Sequence, residues 1–461
     1  MNHRDSMAAM HLTLTLQTEG PMPARALRER LRISQPTFSR HVRSLTGQLE
    51  TIGGSRSRRY ALRRNVRQLG SSWPVYLMGE NGQAREWGRL TALHGGFRFV
   101  PAEGAGWLDR PYPQGVYSGL PFFLQDTAPD GYLGRAIARR LAPLQGYPAD
   151  PRSWSEDDVL MYQLTQGSDL PGALIVGEPM LVRALRQRTE PASPTLITLG
   201  QRATRYPEMA AAAQRGELPG SSAGGEQPKF LCGLSGEARA DRAVLVKFTA
   251  ADSTPAQARW SDLLVCEHLV AVLLREHGWP ACRTELLDAG GRRFLEVERF
   301  DRSTGGGRRG YLSLRSALAG LVDEHPSDWA KAAELLSASG WLSPGGQRLL
   351  RLLWVFGDLI GNSDMHFGNV SLGIEAPPPF ELSPTYDMLP MLHAPGVQGE
   401  LPQRAFNPLP PLPTLSDVWP EAAAAAALFW GRAEADARLS DGFRREAGRC
   451  AAVVGRLRQQ A

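Results

Sequence analysis

Residues 359–369 read Leu-Ile-Gly-Asn-Ser-Asp-Met-His-Phe-Gly-Asn, directly after the apolar run LLRLLWVFGD at 349–358. The run predicts a buried helix, so the polar stretch is delivered to the end of a rigid element. Asp364 and Asn369 stand five apart. Phosphoryl transfer needs a carboxylate that orients and deprotonates the attacking hydroxyl, and a neutral oxygen ligand for a metal ion on the phosphates. The Asp-x-x-x-x-Asn spacing supplies both, with Asp364 as base and Asn369 as ligand. His366, between them, either fixes the loop or contacts phosphate. Alone, the pattern is also compatible with a polar turn.

Working outward, LSPTYDMLP at 382–390 places Asp387 at the end of a short apolar strand, 18 residues after Asn369. A second carboxylate there suits a magnesium ligand, with Tyr386 beside it. Upstream, LPGSSAGGEQPKF at 218–230 is a Gly/Ser loop running into a strand. Its backbone N–H groups suit phosphate oxygens, and the Ser221 and Ser222 hydroxyls are phosphoryl acceptors. It is not a Walker A loop, because GxxxxGK[ST] is absent. In VLVKFT, 244–249, Lys247 sits at the centre of an apolar strand, in a chain with three lysines and 49 arginines. A lysine kept there points to a compact charge for nucleotide phosphates. FLEVERFDR, 294–302, is a hinge-like strand whose Glu298, Arg299 and Phe300 are candidates to meet adenine. A helix from Trp260 to His277 lies between, and either Asp262 or Glu267 is placed to pair with Lys247.

The order of these pieces is that of a kinase: loop, strand lysine, helix, hinge strand, DxxxxN, late Asp. The residues SSAGGEQPKF, VLVKF, VERFDR, LIGNSDMHFGN and SPTYDML, with SGLPFFLQDTAPDGYLGR at 118–135, resemble the HipA family of toxin kinases. The resemblance covers roughly residues 71–400. A leading helix-turn-helix fused to such a kinase looks like the YjjJ-type branch. The resemblance implies an α+β, two-lobed protein-kinase-like fold, preceded by a small winged helix-turn-helix domain. It implies ATP and Mg2+ as cofactors and a protein substrate, which in known members includes translation components. Ala223, Gly224, Gly225, Gln227 and Lys229 would form the loop over the phosphates. Lys247, His366, Asn369, Tyr386 and Asp387 would complete the ATP site, with Asn369 and Asp387 holding the metal. Autophosphorylation would fall on Ser221 or Ser222. An antitoxin partner and a homodimer are left open.

The N-terminal block carries a separate signal. The whole chain has a net charge of +5, but residues 1–67 hold 13 arginines against four acidic residues. That asymmetry predicts a nucleic-acid-facing module. In ARALRERLRISQPTFSRHVRSL, 24–45, Ser34 caps a second helix with Pro36 in its first turn, and Phe38, Val42 and Leu45 form a buried face. Gln35, Thr37, Ser39, Arg40 and Arg43 then face a major groove, and Arg56, Arg58 and Arg59 cluster in a wing. The bland alternative is a helical interaction domain with a solvated arginine face.

The expected domains are a winged helix-turn-helix at 1–68, a HipA-like N-terminal subdomain at 71–200, a kinase N-lobe-like part at 201–310 and a helical C-lobe at 311–461. WPVYLMGENGQAREWGRL predicts a hairpin about Asn81-Gly82, and 190–220 reads as a polar surface connection. No apolar run reaches transmembrane length, and the N-terminus lacks a signal-peptide core, so a cytoplasmic location is expected. Cys232, Cys266, Cys282 and Cys450 show no metal-ligand spacing to a histidine and are read as reduced thiols. The competing functional reading is a DNA-binding transcriptional regulator whose kinase-like part senses ATP or a partner.

Overall fold

A computed structural model describes residues 3–54, 57–103, 105–189, 196–217, 227–236, 239–252, 254–322, 324–396 and 398–460. Its first part packs the helices His3–Glu19, Ala24–Leu31 and Gln35–Ser44 on a small sheet of Met22–Pro23, Arg59–Leu62 and Leu49–Ile52, in that order. Ser34 caps the third helix, its hydroxyl accepting from the Thr37 amide at 3.4 Å. Phe38 is buried edge-on against Tyr60, with centroids 5.3 Å apart, over Leu12, Leu16 and Leu27. Val42 and Leu45 are only half-buried, and the fully buried partner of Phe38 on this helix is His41.

The next unit is a five-stranded antiparallel sheet ordered Val116–Tyr117, Gly96–Pro101, Ala84–Leu93, Ser72–Met78, Leu174–Val176. The hairpin turns at Asn81-Gly82, where Gly82 takes a φ of 73°. The edge strand Val116–Tyr117 is followed by the helices Phe122–Gln125 and Gly131–Gln145. Arg64 and Arg67 tie the first part to this unit through Asp157 and Asp158, at the capped start of the helix Glu156–Gln166.

A second five-stranded sheet runs Thr284–Ala289, Arg292–Glu298, Arg239–Phe248, Lys229–Gly236, Leu196–Thr198. It includes Leu196–Thr198, which pairs in parallel with Gly233–Ser235, so the sheet begins before the expected boundary at 200. The polar connection expected at 190–220 is corrected in its described part. Residues 202–214 are a helix that buries Tyr206, Met209, Ala210 and Ala213 under the sheet. Its short apolar face was hidden by Pro207 and by the polar residues on the other face. The long helix Pro255–Glu276 packs against the strands Thr284–Ala289 and Arg292–Glu298 of this sheet and against the helix Trp419–Ala435.

The C-terminal lobe is helical: Leu314–Leu321, Trp329–Ala338, Pro344–Leu359, Trp419–Ala435 and Asp441–Gln460. Between them, Tyr311–Ser313 pairs with Ser371–Gly373. The helix before the DxxxxN loop buries Leu350, Leu352, Leu353, Val355, Phe356 and Leu359, which makes it a rigid base for the loop. Sheet lobe, connecting strand and helical lobe form a two-lobed, protein-kinase-like architecture. No helix of the described residues is long and apolar enough to cross a membrane.

Candidate active site

Strand register builds the first wall. In the pairing of Lys229–Gly236 with Arg239–Phe248, Lys229 lies opposite Lys247, so both side chains leave the same face. Both are almost fully buried, at 2% and 4% exposure. The Lys247 ammonium donates to both Glu267 oxygens at 2.7 Å and also contacts an Asp387 oxygen. Of the two acids left open on the long helix, Glu267 is therefore the partner. Asp262 points elsewhere, accepting from the Ser440 amide at 2.8 Å and its hydroxyl at 2.6 Å.

Burial alone would lower Lys247, but Asp387 and then Glu267 hold it well above the ordinary lysine value. Burial likewise opposes ionisation of Asp387, yet Lys247 and then Lys229 keep it below the usual carboxylate range. Lys247 and Asp387 are thus both held in their charged forms, while burial pushes Glu267 the other way. Asp387 adopts a φ of 53°, a region that favours Asn, Asp and Gly and turns the chain sharply after Tyr386.

The loop forms the second wall. The Asn369 amide nitrogen donates to the Asp364 carbonyl at 2.9 Å, which turns its oxygen outward. The Asp364 amide is held by Asn362 at 3.1 Å, and the Asp364 carboxylate is exposed. His366 accepts the Gly368 amide on Nδ1 at 3.0 Å, so in the neutral ring Nε2 carries the proton. The Tyr386 hydroxyl donates to the Gly368 carbonyl at 3.0 Å and shares a hydrogen bond with Ser371 at 2.8 Å. Its ring stacks on Phe300, with centroids 5.6 Å apart and 15° between planes.

Between the walls lies a cleft of about 440 Å3, lined by Lys229, Lys247, Glu298, Arg299, Phe300, His366, Asn369, Tyr386 and Asp387 among others. Nine sequence candidates therefore meet in one cavity, within the size range of small-molecule sites. Asp364 and Gln227 do not line it. Gln227 has a buried amide nitrogen without a partner among the described residues. Ser221, Ser222, Ala223, Gly224 and Gly225 lie outside the described residues.

The hinge strand shows which of its donors are already engaged. The Arg299 guanidinium is committed to Asp301, at 2.9 and 2.8 Å, and Arg302 adds a third bond to that carboxylate at 2.7 Å. The Glu298 and Arg299 amides donate to the Arg283 and Ala243 carbonyls. Of the three hinge candidates, only the Phe300 amide lacks an acceptor among the described residues.

Sequence reasoning missed Asp126. It lines the cleft from the preceding unit and accepts from the Ser313 amide at 2.7 Å, the Ser313 hydroxyl at 2.6 Å and the Ser316 hydroxyl at 2.7 Å. Burial pushes its carboxyl up, against the Ser313 bonds that pull it down. The ring of Phe122 lies on Gly320, where a Cβ would come within 2.1 Å, and that close approach brings Asp126 to the helix start. The only signal was its place in the family-like segment at 118–135.

Away from the cleft, His393, Glu446 and Cys450 come together, with His393 Nε2 3.8 Å from the Cys450 sulfur. Linear spacing could not reveal this contact across 57 residues. Glu446 pairs with Arg449, and Arg259, Arg404 and Arg449 surround the ring, so the neighbourhood is cationic. The four cysteines are buried and unbridged.

On the N-terminal part, Gln35, Arg40, Arg43 and Arg58 are exposed, while Thr37 and Ser39 are half-buried. Thr37 shares a hydrogen bond with Ser34, and Ser39 accepts from Gln35. Arg59 donates to the Pro21 carbonyl at 2.7 Å. Arg56 lies outside the described residues.

Residues 69–185 match a family model described as the YjjJ-like toxin middle domain, and 221–437 match the HipA-like C-terminal domain. Toxin YjjJ of Escherichia coli (strain K12) is 36% identical over 432 residues, 93% of this chain and 94% of that protein. Among solved structures, the Shewanella oneidensis MR-1 HipA chain, from its complex with HipB and operator DNA, superposes with a TM-score of 0.53 at 15% identity. That match covers 84% of this chain and 97% of the other. The Helicobacter pylori proinflammatory kinase CtkA matches 52% of this chain and 90% of its own, at 10% identity and a TM-score of 0.34.

Proposed function

The chain belongs to the HipA-like toxin family, in its YjjJ-like branch, and from that premise we propose that it is an ATP-dependent Ser/Thr protein kinase. The observation that carries the reading is the contact of buried Lys247 with both Glu267 and Asp387, in a cleft whose opposite wall holds Asn369. A buried lysine clamped by two carboxylates is held as a fixed positive point, which is what triphosphate oxygens require. Adenine would enter beside Phe300, taking its free amide as donor, with the Phe300–Tyr386 stack as an apolar wall.

The residues fit a hard divalent cation. Asn369 presents an outward amide oxygen, and Asp387 is a carboxylate kept ionised by two lysines. Magnesium, when bound, would neutralise phosphate charge. Asp364 would take the proton of a serine or threonine hydroxyl. Its exposure suits a protein acceptor approaching from solvent. Autophosphorylation of Ser221 or Ser222 belongs to the same proposal, as does a translation component among the substrates.

The arginine-rich first 68 residues would bind DNA through the helix Gln35–Ser44, whose exposed Gln35, Arg40 and Arg43 support that reading. An antitoxin, a homodimer and a cytoplasmic location are part of the proposal. Purified wild type and Asp364→Ala are incubated with labelled ATP and magnesium, and labelled residues are mapped by mass spectrometry. Label in wild type alone supports the kinase. ATP binding without label in either protein favours the regulator reading.

A further inference from the structure

We propose that Arg315, which no motif singles out, is a catalytic residue whose guanidinium grips the transferring γ-phosphoryl group. The inference rests on the kinase reading above.

Arg315 lines the cleft beside His366, Gly368 and Asn369. Its backbone is fixed to the catalytic loop, because its amide donates to the Phe367 carbonyl at 2.9 Å. Its side chain lies over Gly368: a Cβ on that glycine would come 3.1 Å from Arg315 Nη2 and 2.9 Å from the His366 ring. The glycine thus leaves room for the Arg315 side chain beside the His366 ring. Other cations in the site are committed, Lys247 to two carboxylates and Arg299 to Asp301. The Arg315 guanidinium makes no hydrogen bond or ion pair among the described residues, and it is exposed to the cavity.

Its position also runs against local preference. Arg315 is the second residue of the helix Leu314–Leu321, capped by Ser313. A cation in the first turn opposes the helix dipole. Such breaches of a local rule concentrate at functional sites. Asp126 offsets the breach by clamping Ser313 and Ser316, and so holds the start of the helix against the loop.

In the step proposed, the acceptor hydroxyl oxygen forms a bond to the γ-phosphorus as the bond to the bridging oxygen of ADP breaks. The hydroxyl proton passes to Asp364, and ADP leaves with the bridging oxygen. Charge gathers on the phosphoryl oxygens in flight, where a forked donor is worth most. No oxidant or further reactant is needed.

The test uses the full chain with labelled Mg-ATP and follows autophosphorylation as a function of ATP concentration, with ADP affinity measured separately. Arg315→Ala should lower the maximal rate about 100-fold, with half-saturating ATP and ADP affinity within about threefold of wild type. Arg315→Lys, which keeps charge but loses the fork, should recover only part of the rate. An unchanged rate in Arg315→Ala, or equal losses of rate and ADP affinity, would overturn the inference and leave the kinase reading standing. Absence of transfer in wild type would instead overturn the kinase reading beneath it.

Discussion

Lys229 and Lys247 face each other across an antiparallel strand pair, both buried, and they are two of only three lysines in the chain. Like charges directly opposite are destabilising. Here the pair is tolerated because Asp387 feels both ammonium groups and Glu267 chelates one. The arrangement leaves a strongly polar floor in a cleft otherwise walled by Phe300, Tyr386, Leu245 and Val297. A polyanion with an aromatic base fits both parts of that surface.

Removing the clamp's centre should expose its cost. Lys247→Met leaves Glu267 buried without its cation and half-buried Asp387 with Lys229 alone, which costs about 3–5 kcal/mol. Adding Glu267→Gln should return much of that loss but no phosphoryl transfer. Urea unfolding of the two variants and wild type reads the stability, and labelled ATP reads the transfer. Equal stability in all three proteins would contradict the clamp.

Asp301 gives a pH dependence. Burial opposes its charge, but Arg299 and then Arg302 hold the carboxyl far below its usual value. On unfolding it regains an ordinary pKa, so its stabilisation is full above about pH 4 and is lost as pH falls below that. Asp301→Asn should therefore be destabilised by several kcal/mol at pH 7, and the gap to wild type should shrink on acidification toward pH 3. Urea midpoints at a series of pH values check both the size and the sign.

Much of this site was legible because its pieces are local. Asp364, His366 and Asn369 lie within six residues, so the loop's own hydrogen bonds fix their relation. Lys247 stood out because arginine fills most other basic positions. The choice between Asp262 and Glu267 was not legible, because it depends on how the long helix is rotated. Five residues apart, the two acids face different partners, Ser440 and Lys247. Asp126 escaped notice for a different reason: its partners are nearly 190 residues away, and a lone turn aspartate carries no periodic signal. Which hinge amides stay open was not legible either, because only strand pairing shows which donors are already taken.

The Asp126 clamp should behave as a positioning device. Asp126→Ala leaves the Ser313 amide and two hydroxyls without their acceptor, costing about 1–3 kcal/mol in stability. The start of the helix Leu314–Leu321 would loosen against the loop, so the maximal phosphorylation rate should fall while ADP affinity changes little. Asp126→Asn keeps one acceptor oxygen and should restore part of the rate. If stability falls but the rate per folded molecule does not, Asp126 is only a structural link.

The N-terminal arginines separate into two classes that salt can distinguish. Arg43 is exposed on the helix Gln35–Ser44, its Nε bonded only within its own helix, to the Ser39 carbonyl. Arg59 is half-buried and ties the strand Arg59–Leu62 to Pro21. Each arginine that contacts a DNA phosphate releases a counterion, so affinity falls with salt in proportion to the number of contacts. Arg40→Ala and Arg43→Ala should each reduce the slope of log affinity against log salt by about 1, measured by anisotropy on a labelled duplex. Arg59→Ala should instead cost roughly 1–3 kcal/mol of stability, from loss of a charged hydrogen bond, with the slope nearly unchanged. Identical slopes in all four proteins would place DNA elsewhere or remove it from the function. A slope change confined to Arg59→Ala would mean that the wing, rather than the helix Gln35–Ser44, carries the phosphate contacts.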